Sequence, residues 1–223
     1  MTKSPCRVCN RGSSVFYRDS RTFYRCGNCS LIFTDEIAQA PDQEKHYKAQ
    51  WGNQQDEFWK GQAEAILQII RRYHEPRHVL DFGAGSGALT DELRRRGVDC
   101  TPLEPMVHGF LKAQSYPHKF DAIIGVEVIE HLPNLWEELR EMEKVLAPAG
   151  IMLFTTLLTE AFVNAPDAAA RFKEWWYKDD PTHVTFFGYR SLEVLGDIAG
   201  YDVDVILDKV IVFTRKGGNL FVA

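Results

Sequence analysis

Val79 to Gly87, reading VLDFGAGSG, is the stretch that decides the fold. Apolar, β-favouring residues run into Asp81, and glycines follow at 83, 85 and 87. A helical pattern, Ala88-Leu89-Thr90-Asp91-Glu92-Leu93, begins at once. This order of strand, glycine turn and helix delivers the chain to a helix N-terminus, where unpaired N–H groups and the dipole favour anionic groups. Glycine adopts φ > 0 and has no Cβ, so a ligand can come close to the backbone. Two patterns overlap here. Gly83-x-Gly85 opens a dinucleotide fingerprint, with Ala88 in its last place. The acidic-x-Gly-x-Gly-x-Gly pattern, headed by Asp81, is complete. A tight turn that binds nothing is the plain alternative.

Downstream, Val98 to Leu103 reads as a second strand ending in Glu104, 17 residues beyond Gly87. An acid placed there can accept from both hydroxyls of a ribose. It can equally be a solvent-facing strand end. Pro105 to Lys119 then offers only fifteen residues, enough for a short helix near Val107–Ala113 and at most a rudimentary strand. The segment Phe120-Asp121-Ala122-Ile123-Ile124-Gly125-Val126 reads as a buried strand, followed by Glu127-Val128-Ile129-Glu130-His131-Leu132. A helix from Leu135 to Leu146 leads through Ala147-Pro148-Ala149-Gly150 into the apolar strand Ile151–Thr156.

Taken together, VLDFGAGSG, Glu104, FDAIIGVEVIEHL and VLAPAGIMLFTT resemble the class I S-adenosylmethionine-dependent methyltransferases of the small-molecule type, over roughly residues 45–215. The resemblance implies an α/β fold: a doubly wound, Rossmann-like sheet closed by an antiparallel strand. Val203–Leu207 and Val210–Thr214 fit that last pair. It implies S-adenosylmethionine as cofactor, held by Asp81, Phe82, Gly83, Ala84, Gly85 and Gly87, by Glu104 and Pro105, and by Val126 and Glu127. The second glycine of the family's LkpGG motif is Gly150, and Ala149 replaces the first. The family's adenine-contacting Asp has no counterpart in 105–119, where Gln114 or Ser115 is the nearest polar candidate.

Glu127, His131 and His183 are the candidate catalytic groups. Glu127 and His131 follow the strand that borders the ligand crevice of such sheets. Histidine takes a proton near neutral pH. His131 can instead cap the helix after it. His183 precedes the aromatic pair Phe186-Phe187 and ends a stretch, 157–182, rich in aromatics (Phe172, Trp175, Trp176, Tyr177). Within it, Ala168–Tyr177 reads as a helix, and 157–190 as a lid over the acceptor. His183 can act as a base, bind the acceptor, or fix its loop. Ser191–Ala199 reads as an amphipathic helix, with Ser191 near the N-cap and Gly200 closing it.

Upstream, Cys6-x-x-Cys9 and Cys26-x-x-Cys29 are separated by sixteen residues. Two such pairs supply four thiolates, a closed tetrahedral set for structural zinc. Val15–Tyr17 and Thr22–Arg25 read as the hairpin between them, and Leu31–Phe33 as a last strand, giving a small N-terminal zinc ribbon over 1–33. A unit of this size needs the metal to fold. Disulfides are disfavoured without a secretory signal. Thr34 to Asn53 reads as a linker carrying His46, Tyr47 and Trp51. Asp56–His74 has a helical apolar period, and Lys216 to Ala223 reads as a loose tail.

The formal charge of −5 is unevenly spread. Residues 1–33 hold six Lys and Arg against Asp19 alone, a sum of +5, so the remainder carries −10. The basic ribbon admits a nucleic-acid partner, and the acidic remainder disfavours one. No apolar run reaches the ~18 residues of a membrane span, and the N-terminus lacks the apolar segment of a signal peptide, so a cytoplasmic location is expected. The expected activity is methyl transfer to a small-molecule acceptor. The alternatives are a partner-binding protein with a degenerate methyltransferase fold, and an RNA methyltransferase.

Overall fold

A computed structural model describes residues 4–39 and 56–217. Eleven strands lie among them: β1 (Ser4–Pro5), β2 (Gly12–Arg18), β3 (Thr22–Cys26), β4 (Ile32–Thr34), β5 (His78–Phe82), β6 (Asp99–Leu103), β7 (Phe120–Val126), β8 (Leu146–Thr155), β9 (Thr185–Phe186), β10 (Tyr201–Ile206) and β11 (Val210–Arg215). The helices are α1 (Asp56–Ile70), α2 (Ala88–Arg95), α3 (Pro105–His108), α4 (Leu135–Val145), α5 (Ala168–Glu174) and α6 (Tyr189–Ala199).

The larger sheet runs β10-β11-β8-β7-β5-β6. Strands β5, β6, β7 and β8 are parallel, while β11 is antiparallel to both β8 and β10. A sheet covered on both faces wants near-continuous apolar strands, and Val79, Leu80, Ala122, Ile123, Ile124, Leu153 and Phe154 are all fully buried. One face packs on α1 and α2 through Ala63, Leu67, Ile70 and Leu93, the other on α4 and α6 through Leu135, Met142, Leu192 and Leu195. No strand forms between Glu104 and Phe120. The segment makes α3 and a 3-10 turn at Leu111–Ala113, so β6 is the sheet margin, where Pro102 removes no needed ladder bond.

The ribbon builds the second sheet, β1-β2-β3-β4-β9. Its fifth strand comes from residues 185–186: Ile32 pairs with Phe186 and Phe33 with Thr185. The ribbon hairpin and the 157–186 stretch therefore share one core. Phe172 of α5 sits at its centre, with its ring 5.0 to 6.1 Å from those of Phe16, Tyr17, Phe23, Phe162, Trp175 and Phe186. Such pairs contribute about 1 kcal/mol each beyond burial. At the ribbon's other end, Trp136 of α4 donates to the carbonyls of Arg7 and Val8. A cavity of about 440 Å³ lies along this seam, lined in part by Cys9, Trp136, Met152 and Phe213.

Several boundaries differ from the sequence reading: α1 ends at Ile70 rather than His74, and the first strand of the last pair spans Tyr201–Ile206 rather than Val203–Leu207. Helix α5 stops at Glu174, and Trp176–Asp179 forms a 3-10 turn. Helix α6 starts at Tyr189, so Ser191 lies inside its first turn. From there its Oγ accepts from Gly188 N at 2.9 Å and donates to Gly188 O at 2.8 Å. Residues 147–150 belong to β8, and the turn expected there is a register shift against β7. The aromatics His46, Tyr47 and Trp51, and residues 218–223 of the tail, lie outside the described residues.

Candidate active site

The glycine turn follows β5. Gly83, Gly85 and Gly87 have φ of 78°, 54° and 82°, the left-handed region that side chains resist. Most of the turn's amides are already engaged. Gly83 N and Ala84 N donate to Leu103 O at 2.8 and 3.2 Å, Gly85 N to Glu104 Oε2 at 3.0 Å, and Gly87 N to Ala84 O at 2.8 Å. A turn whose N–H groups are bonded internally is poorly supplied for cradling a pyrophosphate, which bears against the dinucleotide pattern. Gly83 has a second reason to be glycine. A Cβ there would lie 2.6 Å from Val128 Cγ2, so the loop after β7 rests directly on the turn.

Glu104 is 8% exposed and caps α3, with Oε1 accepting from Met106 N at 3.2 Å. Its two oxygens thus brace the glycine turn and α3 while lone pairs remain for hydroxyl donors. Pro105 opens α3 and is exposed, Phe82 is buried, and Val126 is the half-buried last residue of β7. Gln114 Nε2 donates to His108 O at 2.6 Å. Asp81 is 2% exposed and accepts from Thr90 Oγ1 at 2.6 Å. Burial pushes its carboxyl up to about 6, and the Thr90 bond opposes that shift.

Glu127 leaves β7 with φ of 53°, a conformation that costs a β-carbon-bearing residue about 1–2 kcal/mol. Thr155 holds it there. Glu127 N donates to Thr155 O and Oγ1, both at 3.1 Å, and Thr155 Oγ1 donates to Glu127 Oε1 at 3.0 Å. Gly125 allows the approach of β8, because a Cβ there would meet Phe154 at 2.8 Å. The 3-10 turn Ile129–His131 then carries Glu130 inward, to 0% exposure.

The Tyr177 hydroxyl joins this wall. It lies 2.9 Å from Glu127 Oε2 and 3.0 Å from Thr156 Oγ1, and it is in direct hydrogen-bond contact with Glu130 Oε1. One phenolic proton cannot serve two carboxylates, so a second proton belongs on the pair. Burial, then the nearby Glu127 charge, push Glu130 up to about 8, which assigns that proton to Glu130 at neutral pH. Burial also raises the Tyr177 phenol and lowers the His183 imidazole.

His183 is 5% exposed and its Nδ1 lies 2.7 Å from Tyr177 O. A carbonyl can only accept, so Nδ1 carries the hydrogen and Nε2 presents its lone pair. That Nε2 is 3.9 Å from Glu130 Oε1, as is His131 Nε2. The two imidazole rings meet edge to face at 4.5 Å. Helix α4 is not capped by His131: its N-cap is Asn134, with no side-chain cap bond. Glu130 Oε2 has no hydrogen-bond partner. Glu130, His131 and His183 each place one ligating atom within 4.8 Å of the others, a set suited to a divalent cation. His183 is thus brought to Glu127 and His131 from 52 residues beyond His131, and Glu130, Tyr177, Thr155 and Thr156 join them unannounced. The spacing Glu127-x-x-Glu130-His131 is the one signal that could have pointed to Glu130. Tyr177 was concealed in an aromatic run that reads as lid core.

The four ribbon cysteines also converge. Sγ–Sγ separations are 3.6 Å for Cys6–Cys29, 3.5 Å for Cys9–Cys26 and 3.8 Å for Cys9–Cys29. Zn–S bonds of ~2.3 Å in a tetrahedron place sulfurs about 3.8 Å apart, whereas a disulfide needs ~2.05 Å. The cysteines fit a zinc ion. Each pair ends in a turn with a left-handed residue, Asn10 (φ 55°) and Ser30 (φ 60°), whose N–H donates to Cys6 O and Cys26 O.

A parallel sheet with a glycine turn at its first strand, an acid closing the second and an antiparallel final strand defines a cofactor-binding α/β domain of the methyltransferase architecture. Residues 53–205 match the model of a methyltransferase domain family, and the chain belongs to that family. It is similar to a ubiquinone biosynthesis O-methyltransferase of Azorhizobium caulinodans, 24% identical over 155 residues that cover 59% of this chain and 61% of the relative. A ubiquinone biosynthesis O-methyltransferase of Vibrio cholerae is 27% identical over 103 residues, 36% of this chain and 42% of the relative. The matches thus span about half the length of these relatives. Among solved structures, the plantazolicin methyltransferase BpumL in complex with SAH aligns at a TM-score of 0.57, 13% identity, covering 80% of this chain and 92% of that one. The SAM-bound amino pentose methyltransferase CalS10 from Micromonospora echinaspora aligns at 0.51, 13% identity, covering 81% and 98%. These likenesses show the fold. Among the described residues, no helix is long and apolar enough to cross a membrane.

Proposed function

We propose that the chain is an S-adenosylmethionine-dependent methyltransferase that methylates a hydroxyl of a small-molecule acceptor. The observation that carries this reading is the junction of Gly83 with Val128. It sets a glycine turn with internally bonded amides directly against a proton-holding wall of buried Glu130, Tyr177 and His183 and half-buried Glu127 and His131. The cofactor supplies an electrophilic methyl group on a sulfonium. Gly85 and Gly87 line the turn that would hold its methionine end, Asp81 would help hold its ammonium, and Glu104 would offer lone pairs to the ribose. The family assignment and the O-methyltransferase names of the relatives support a hydroxyl acceptor. An acceptor hydroxyl loses its proton as its oxygen gains the methyl. His183 Nε2, with its lone pair free of the Tyr177 carbonyl, is the group to take that proton. Positioning supplies most of the rate.

A second reading of the same wall has its own support. Glu130 Oε2 is buried without a partner, and Glu130, His131 and His183 cluster within 4.8 Å. A divalent cation held there would compensate the buried carboxylates and favour an ionised acceptor oxygen. The test is transfer of labelled methyl from S-adenosylmethionine into a metabolite extract, with and without EDTA, using Glu130→Gln as control. Calorimetry that finds no cofactor binding at millimolar concentration sinks the enzyme reading. Activity unaffected by EDTA sinks the cation.

The ribbon would hold structural zinc through Cys6, Cys9, Cys26 and Cys29. Two of its six basic residues are spent within the protein. Arg7 donates to Pro133 O and Thr34 O, and Arg21 donates to the carbonyls of Lys178, Asp180, Pro181 and His183. The acidic remainder of the chain disfavours a broad nucleic-acid footprint, and a small-molecule acceptor suits the enclosed wall.

A further inference from the structure

The ribbon belongs to the methyl-transfer wall. Arg21 lies at the tip of the β2–β3 hairpin, 162 residues before His183. Its Nη1 donates to His183 O at 3.0 Å and Pro181 O at 3.3 Å, and its Nη2 to Asp180 O at 3.0 Å and to Lys178 O. Four carbonyls of a single loop thus converge on one guanidinium. The planar fork of arginine suits such an arrangement, and lysine's point charge does not. The guanidinium itself is fixed from below, 4.9 Å over the Phe23 ring, and Arg21 N donates to Asp19 Oδ1 at 2.9 Å. Asp19 Oδ2 lies 3.4 Å from the buried Lys178 ammonium at the start of the same loop.

Past His183 the connection continues through the backbone. Thr34 N of the ribbon donates to Val184 O at 3.0 Å, Val184 N donates to Glu130 O at 3.0 Å, and β4 pairs with β9 at the next two residues. The 178–184 segment is thus held by the ribbon at Arg21 and Thr34, while His183 itself is bonded within the loop, through Nδ1 to Tyr177 O and through N to Asp180 O at 3.2 Å. The parallel sheet reaches this segment at its ends, through Tyr177 on Thr156 and Glu127 and through Val184 on Glu130.

We propose that Arg21 is a positioning residue for the reaction. By gripping the 178–183 loop it sets the tautomer and placement of the His183 imidazole against Glu130 and His131, and so makes the ribbon part of the site. The proposal rests on the reading of that wall as the place of methyl transfer. A structural clamp alone would stabilise the fold without being needed for the imidazole's state, and the two are separable.

The experiment uses the full chain with its zinc. Arg21→Ala and Arg21→Lys are compared with the parent protein by nitrogen-15 imidazole NMR of His183, by amide exchange at Val184 and Leu80, and by thermal melting. The expected result is a single Nε2-lone-pair tautomer in the parent and a mixed, broadened signal in both variants. Val184 exchange should rise at least 30-fold, with Leu80 within threefold. Guanidinium at 20 mM order should restore the His183 signal in Arg21→Ala, because it refills the vacated fork. If Arg21→Ala fails to fold, Arg21→Lys carries the same readouts. An unchanged His183 signature in the variants overturns the proposal, as does a parent-like Arg21→Lys. Failure of the enzyme reading would show separately, as absence of S-adenosylmethionine binding by the parent protein in calorimetry.

Discussion

The two halves of the proposed site, one for the cofactor and one for the acceptor, are built on opposite plans. The cofactor half is assembled from neighbours in sequence: the turn 83–87, the acid at 104, and the strands that carry them. Its contacts are mostly backbone, and the long reach from Gly85 to Glu104 spans only nineteen residues. The acceptor half is assembled from side chains drawn from 127–131, 155–156, 177–183 and, through Arg21, the N-terminal ribbon. It buries carboxylates and imidazoles whose proton states depend on one another. The difference teaches that a shared fold fixes where a cofactor sits, while the chemistry is set by parts added around it.

The largest test of that division is Glu130→Gln. It removes the buried acid that both imidazoles face, and methyl transfer should fall at least ~1000-fold while the cofactor Kd in calorimetry changes less than about threefold. Comparable loss of cofactor binding would erase the distinction between the halves. Cys29→Ala, or zinc removal by a strong chelator, is expected to lower turnover ~100-fold, because the ribbon that grips 178–186 loses its metal. A measured zinc content of one per chain before treatment is part of this check.

Glu104→Ala reverses the pattern. The cofactor Kd should weaken by roughly 10- to 100-fold, about 1.4–2.7 kcal/mol, with turnover at saturating cofactor nearly unchanged. Gly83→Ala strikes the border between halves. Its Cβ would meet Val128 at 2.6 Å in a left-handed conformation, and a loss of about 2–3 kcal/mol in denaturant melts is expected.

The smallest effect concerns pH. Asp81 holds its proton up to about 6 in the folded chain, against an ordinary 3.8. This group therefore favours folding below pH 4, and that advantage is lost as pH rises through 6. A cofactor ammonium nearby favours the charged carboxyl. Affinity should thus rise about tenfold from pH 5 to 7 and then level off, and Asp81→Asn should flatten the profile.

Legibility followed the same division. Residues 78–82 and 120–126 appear as strands where hydrophobic runs put them, and the turn between Asp81 and Ala88 was readable because glycine is demanded at each left-handed position. The absence of a strand between 104 and 120 followed from counting residues. The pairing of β4 with β9 was not legible, since two-residue strands leave no periodic signal and their partners are about 150 positions apart. No motif in the sequence marks Arg21 or Lys178. Only the fold shows that one is spent on carbonyls and the other, 5% exposed, on Asp19 and Asp179. Tyr177 looked like core because its ring is core. Its hydroxyl alone belongs to the chemistry.

The strand pairing between residues 32–33 and 185–186 also orders events in time. During synthesis the ribbon leaves the ribosome first and can take up zinc at once, since its four ligands lie within residues 6–29. It then has to wait through the whole parallel sheet before the segment it grips emerges. Long-range closure of this kind comes late in folding. The acceptor wall is thus completed only once residues 177–186 have emerged, and a chain truncated before residue 183 lacks the His183 side of the wall together with α6, β10 and β11.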